Sequence, residues 1–344
     1  MTRGQQGWFY SAEGDSVNDQ TNNISGIYLS YNHLQHLGDC VVNILNLLLK
    51  ATLMKNIFIS LLFIILFSGC MQQNGDEDAA GREIITVSIE PFRFFTTAIA
   101  GDHYRINVIV PPGASPATYE PPPGVIRDLG DSDLMIINGY LGFELAWMDR
   151  IINTNEEIEV LNLSESQDLI AADSHRHGDN IHYTGVDPHF WVSPVRARII
   201  AKDIKDFLIS NDPGREKEYN SNYLELDSII RDTDSYLGSL FDTLDKRSFM
   251  IFHPSLSYLA KDYGLEQIAV ETGGKEPSPS ELKRIIDRGR EKDIRTIFIQ
   301  REFDKRNAVL IGDETGAETV VIDPLSSDWI TSVRNIAEEI AGVK

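Results

Sequence analysis

Residues 215–244 read REKEYNSNYLELDSIIRDTDSYLGSLFDTL. Tyr219, Tyr223, Leu226, Ile230, Leu237, Leu240 and Leu244 recur at spacings of four, three, four, seven, three and four. That rhythm keeps them on one stripe of a 3.6-residue helix. About 30 residues at 1.5 Å each make a rod of roughly 45 Å. A helix of that length is most simply a rigid strut. A local coiled-coil partner is the alternative, although three heptads make a short seam.

On both sides of this segment, short apolar runs alternate with helical periods. Upstream, strands are expected over 84–89, 104–110, 134–137 and 158–161, with helices over 92–100 and 143–152. A further helix starts after Ser193-Pro194 and carries Ile199, Ile200, Ile204, Phe207 and Leu208 on one face. Downstream, strands over 249–252, 267–270, 296–299 and 319–322 alternate with helices over 255–263, 279–288, 304–312 and 329–340. The expected fold class is α/β, with two α/β lobes of mostly parallel sheet joined by one long rigid helix. The first lobe takes residues 84–212, the linking helix 213–245 and the second lobe 246–344.

The N-terminal third has another character. Residues 54–70 read MKNIFISLLFIILFSGC: one Lys, an apolar run, then small residues and a Cys. This is the order of a secretory signal, and the run is short for a membrane span. LFSGC at 66–70 resembles a bacterial lipobox, which makes Cys70 the expected lipidated first residue of the mature chain. Residues 54–69 are then the signal peptide. Residues 1–53 read as a mis-assigned start upstream of Met54. Residues 70–83, rich in Gly, Asp, Glu and Gln, read as a flexible tether.

With 31 Lys and Arg against 52 Asp and Glu, the 344-residue chain carries a net charge of −21. Residues 1–69 hold three basic and four acidic side chains, leaving 28 against 48 and a charge of −20 on the remainder. Such acidity argues against a nucleic-acid partner, since phosphates are held mainly by Lys and Arg. The two cysteines, Cys40 and Cys70, supply neither a disulfide framework nor a multi-cysteine zinc cluster.

Ligands of open α/β sheets bind beyond the carboxyl ends of the strands. His253 directly follows the strand over 249–252, and Asp323 directly follows the one over 319–322. His189 lies in DPHFW at 187–191, ahead of a helix. Two imidazoles and a carboxylate are a plausible set for a divalent transition metal. Each also has a plainer reading: a hydrogen-bonded structural histidine, or an aspartate capping the turn with Pro324. Gln300 follows a strand end and could support a ligand through a hydrogen bond. Arg301 and Glu302 read as surface pairs of small net worth. Tyr119, Trp191 and Trp329 read as lobe-interface packing.

VPPGASPATYEPPP at 110–123, DPHFWVSP at 187–194, TGGKEPSP at 272–279, FHPSLSYLAKDYGL at 252–265 and TVVIDPLSSDW at 319–329 carry a resemblance. The chain resembles the metal-binding lipoproteins that serve zinc and manganese ABC importers, the cluster A-I solute-binding proteins, over essentially all of residues 84–344. The resemblance implies two lobes joined by one long helix, with the ion between them. It also implies His189, His253 and Asp323 as metal ligands. The family's first histidine falls on Ala117, so one expected donor is absent. Glu120, a water, or His175, His177 or His182 from the short His-rich loop at 172–182 are the candidate replacements.

The leading expectation is therefore capture of Zn²⁺ outside the cytoplasmic membrane and its delivery to an ABC permease. The chain would act as a monomer anchored through lipid at Cys70. Mn²⁺ is the alternative cargo, because oxygen donors favour it. A metal-dependent hydrolase and a surface adhesin are the competing classes. An HExxH motif and a nucleophile elbow are both lacking in the sequence.

Overall fold

The computed structural model describes residues 47–50, 54–55, 82–153, 155, 157–171, 174–177, 180–183, 185–271, 277–303 and 306–343. The chain divides into two units, Met1–Asp76 and Glu77–Lys344. Residues 47–50 and 54–55 of the first unit are helical. The signal segment beyond residue 55, Cys70 and the tether as far as residue 81 lie outside the described residues. Among the described residues, no helix is long and apolar enough to cross a membrane.

The second unit is built on two four-stranded parallel sheets. The first contains β1 (Ile84–Val87), β2 (Arg105–Val108), β3 (Leu134–Ile137) and β4 (Glu159–Asn162), in the order β2-β1-β3-β4. A hairpin of β5 (Ser174–His177) and β6 (Asn180–Tyr183) follows. The second sheet contains β7 (Ser248–Ile251), β8 (Glu266–Ala269), β9 (Thr296–Gln300) and β10 (Glu318–Ile322), in the order β10-β9-β7-β8. Read from its other edge, that is β8-β7-β9-β10: second strand, first, third, fourth, as in the first sheet. Each sheet therefore reverses direction between its first and third strands. Crevices at such switch points are where parallel sheets bind ligands.

The helices are α1 (Glu90–Ala100), α2 (Pro123–Leu129), α3 (Gly142–Ile152), α4 (Pro194–Asn211), α5 (Glu216–Asp242), α6 (Ser257–Tyr263), α7 (Pro279–Glu291), α8 (Arg306–Thr315) and α9 (Trp329–Ala341). The amphipathic stripe emerges as α5, 27 residues long or about 40 Å. It buries Tyr219, Leu226, Asp227, Ile230, Thr233, Leu237 and Phe241. The buried Asp227 accepts from Arg198 Nε at 2.8 Å and from Arg231 Nε at 2.7 Å. The stripe packs on α4, α1 and α9, so one helix serves elements from both sheets. A single apolar core runs through this arrangement, from Ile85 and Phe92 to Phe249, Phe298 and Trp329. A smaller one lies around Met250, Ile268, Ile297 and Ile311.

Two elements depart from the sequence reading. The short α2 follows directly on a run of prolines, and Pro suits a helix's first turn because its missing N–H would be unpaired there. The short His-rich loop expected over 172–182 contributes to the β5–β6 hairpin, with His175 opposite His182 in an antiparallel register.

Candidate metal centre

The first switch point is locked by a buried carboxylate. Glu144, in the first turn of α3, accepts from the Ser88 hydroxyl just past β1 and from the backbone N–H of Asn138 (2.9 Å), Gly139 (2.6 Å) and Leu141 (3.2 Å) just past β3. Burial pushes the Glu144 carboxyl above its ordinary range, and these donors oppose that shift without cancelling it. The Asn138 side chain then donates to the Pro188 carbonyl at 2.9 Å, which fixes the loop carrying His189.

His189 points one ring nitrogen at each side of its loop. Its Nδ1 lies 2.8 Å from Asp187 Oδ1, and the same oxygen accepts the His189 backbone N–H at 2.9 Å. Burial raises the Asp187 carboxyl, but the His189 imidazole and N–H and the Ser257 hydroxyl outweigh it and hold it below the aspartate range. Tyr258 donates to the Asp187 carbonyl at 2.8 Å, fastening this loop to α6 of the second sheet.

His253 leaves the C-terminal end of β7, at the second switch point. Its Nδ1 faces Glu271, just beyond β8, at 3.4 Å. Its ring stacks on Phe303 with centroids 4.8 Å apart and planes at 19°. Gln300 Nε2 donates to the His253 carbonyl at 2.7 Å and to Ser255 at 2.6 Å, so it holds the backbone of His253 and not its ring.

The free Nε2 atoms of the two histidines meet at 3.4 Å. With each Nδ1–H turned to a carboxylate, the neutral tautomers present two Nε2 lone pairs to each other. A proton or a cation between them satisfies both. Two Zn–N bonds of about 2.0–2.1 Å at a tetrahedral angle span about 3.3–3.4 Å. The observed separation matches that chord. Carboxylates behind both imidazoles are the usual way a metal-binding histidine is oriented.

The pair borders a cavity of about 180 Å³, whose wall includes Ala117, Gly142, Trp191, Glu302, Phe303 and Leu325. Residues from both sheets contribute, so it lies in the cleft between them. Ala117 stands in this wall. A Cβ on Gly142 would come within 2.2 Å of the Ala117 carbonyl, so a glycine is needed where α3 begins for the two segments to touch. Glu120 is exposed and outside this wall.

Asp323 is placed next door. It lines a neighbouring cavity of about 290 Å³ with Arg301, Glu302 and Leu325, and its carboxylate pairs with Arg301 at 3.2 Å. Among the described residues, no three His, Cys, Asp or Glu side chains are gathered in ligating range. The structure thus brings His189 and His253 together and leaves Asp323 facing an arginine. The side chains of His175, His177 and His182 lie outside the described residues.

Of the surface pairs expected of Arg301 and Glu302, the arginine's forms and the glutamate's does not, among the described residues. Arg301 turns to Asp323, while Glu302 is half-buried and borders both cavities. Burial raises its carboxyl, Asp323 adding to the shift and His253 and Arg301 opposing it. Asp187, Glu271 and Phe303 are neighbours of the imidazole pair to which the sequence reading gives no role, and Glu302 is one it reads as a surface residue. The one available signal was position, since Glu271 and Glu302 both follow strand ends.

The family model described as zinc-uptake complex component A, periplasmic (ZnuA), matches residues 85–343. The zinc-binding lipoprotein AdcA of Streptococcus pneumoniae strain R6 is 25% identical over 263 residues, covering 74% of this chain and 52% of its own. The chain thus spans about half of AdcA's length. The high-affinity zinc uptake system protein ZnuA of Bacillus subtilis is 25% identical over 266 residues, covering 75% of this chain and 83% of its own. A zinc-bound ZnuA crystal structure lacking residues 138–173 superposes with a TM-score of 0.71 at 31% identity, over 76% of this chain and 98% of that one.

Proposed function

The chain belongs to the ZnuA family of periplasmic zinc-uptake components, and on that premise we propose that it captures Zn²⁺ between its two lobes and hands it to an ABC permease. The observation that carries this reading is the 3.4 Å approach of two imidazole Nε2 atoms, each backed by a carboxylate. His189 and His253 supply nitrogen, and Asp323 supplies charge once it leaves Arg301. Neutral imidazoles bind and protonated ones do not, so acidification or contact with the permease releases the ion. Mn²⁺ is the alternative cargo, favoured by oxygen donors. Residues 54–69 act as the export signal and Cys70 as the lipid attachment point, which anchors the chain, a monomer, at the periplasmic or extracellular face of the membrane.

The test is metal content. The purified chain is dialysed against equimolar Zn²⁺ and Mn²⁺, washed, and analysed by mass spectrometry. One zinc per chain is expected. Stoichiometric manganese instead selects the alternative cargo, and retention of neither ion contradicts the reading.

A further inference from the structure

Ala117 leaves the cavity wall without a donor where the resemblance expects a histidine, and the two imidazoles with Asp323 make three ligands. We infer that Glu302 supplies the fourth, so that the cargo site is a two-nitrogen, two-oxygen set. The inference rests on the metal-capture reading above and goes beyond it in naming this donor.

Three observations converge on this residue. Glu302 is the one carboxylate in the wall of the cavity that His189 and His253 border, among the described residues. Its backbone is fixed close to the ligands, because the next residue, Phe303, lies flat against the His253 ring. Of the other acids near the pair, Asp187 is held by His189 Nδ1 and Glu271 by His253 Nδ1, while Asp323, counted above as the third ligand, reaches the site from the neighbouring cavity on leaving Arg301. Among the described residues Glu302 forms no such ion pair.

Glu302 leaves β9 and His253 leaves β7, the two strands that flank the second switch point. Ala117 reaches the same cavity from the first lobe. The alanine opens space, and the glutamate borders that space from the opposite lobe. A cation at the imidazole pair draws the carboxylate in through a change of rotamer, which costs little for an unbranched side chain. Exchanging an imidazole for a carboxylate makes the set harder, and raises affinity for Mn²⁺ relative to an all-histidine site.

Chelator-competition titrations of Zn²⁺ and Mn²⁺ at one fixed pH test this on the full chain, Glu302→Gln, and Glu302→Gln combined with Ala117→His. Thermal melts of the metal-free proteins check the fold, and Glu302→Asp serves as a second variant. Glu302→Gln is expected to weaken Zn²⁺ by more than the roughly 10–100-fold that loss of an outer hydrogen bond costs. The double variant is expected to recover Zn²⁺ but not Mn²⁺. The visible spectrum of bound Co²⁺ should change in Glu302→Gln and not stay that of the parent. If the parent binds and Glu302→Gln matches it in affinity and Co²⁺ spectrum, the inference is overturned and metal capture stands. If the parent itself shows no saturable binding, the capture reading fails and the inference with it.

Discussion

Trp329 donates its indole N–H to the carbonyl of Trp191 at 2.7 Å, and Trp191 donates its own to the carbonyl of Pro324 at 2.9 Å. Both rings are buried. Trp191 follows His189 by two residues, and Pro324 adjoins Asp323. The pair therefore ties the segment that carries one imidazole to the segment that carries the carboxylate. Trp329 also meets Phe95 with ring centroids 5.1 Å apart, so the last helix packs on the first lobe. This is the interface packing expected of both tryptophans.

Replacing Trp329 with Phe keeps a ring but removes the donor and leaves the Trp191 carbonyl buried and unpaired. Urea denaturation should register a loss of about 1–3 kcal/mol. A change below a few tenths would mean that the tie carries no stability.

Asp187→Asn removes charge behind His189 while keeping a side-chain oxygen to accept hydrogen bonds. Zinc affinity should fall about 10–100-fold with the fold intact. Competition titration measures it, and unchanged affinity would show that Asp187 does not tune the imidazole.

Arg301→Gln frees the Asp323 carboxylate from its resident cation. Arg301 is largely exposed, so unfolding stability should shift by no more than about 1 kcal/mol. Zinc affinity should rise a few-fold, because the ion no longer competes with a guanidinium. A fall in affinity would argue that Arg301 positions Asp323 for the metal.

Acid stability depends on Glu266, whose carboxyl is pushed down to about 2 by Lys292, Ser248 and Arg288. A carboxyl held below its unfolded value stabilises the fold above that value, and the contribution is lost as pH falls from about 4.5 towards 2. Glu266→Gln should therefore be less stable than the parent at neutral pH, with the gap closing at pH 2–3. Denaturation curves at both pH values check it; a gap that widens in acid would reverse the sign.

The long helix was legible because Tyr219, Leu226, Ile230 and Leu237 repeat at helical spacing, and the parallel strands because apolar runs such as 134–137 are buried on both faces. The β5–β6 hairpin was not, since SHRH is wholly polar and the alternation in NIHY spans only two apolar residues, too short to mark a strand. His189 and His253 stood out by residue type and by their places in a loop and past a strand. Glu271 did not, because its approach to His253 is set by the pairing of β7 with β8 and by no local pattern. Glu302 was misread beside Arg301: an Arg-Glu dipeptide looks solvated until a cavity wall from the other lobe half-buries it.

The most direct test of the central claim is a zinc titration of the purified chain beside His189→Ala and His253→Ala, with thermal melts of each metal-free protein as fold controls. Tight one-to-one binding that both substitutions abolish, with melting little changed, is the result expected of a cargo site made by the Nε2 pair. Binding that survives either substitution at the parent's affinity would place the metal elsewhere and contradict the account.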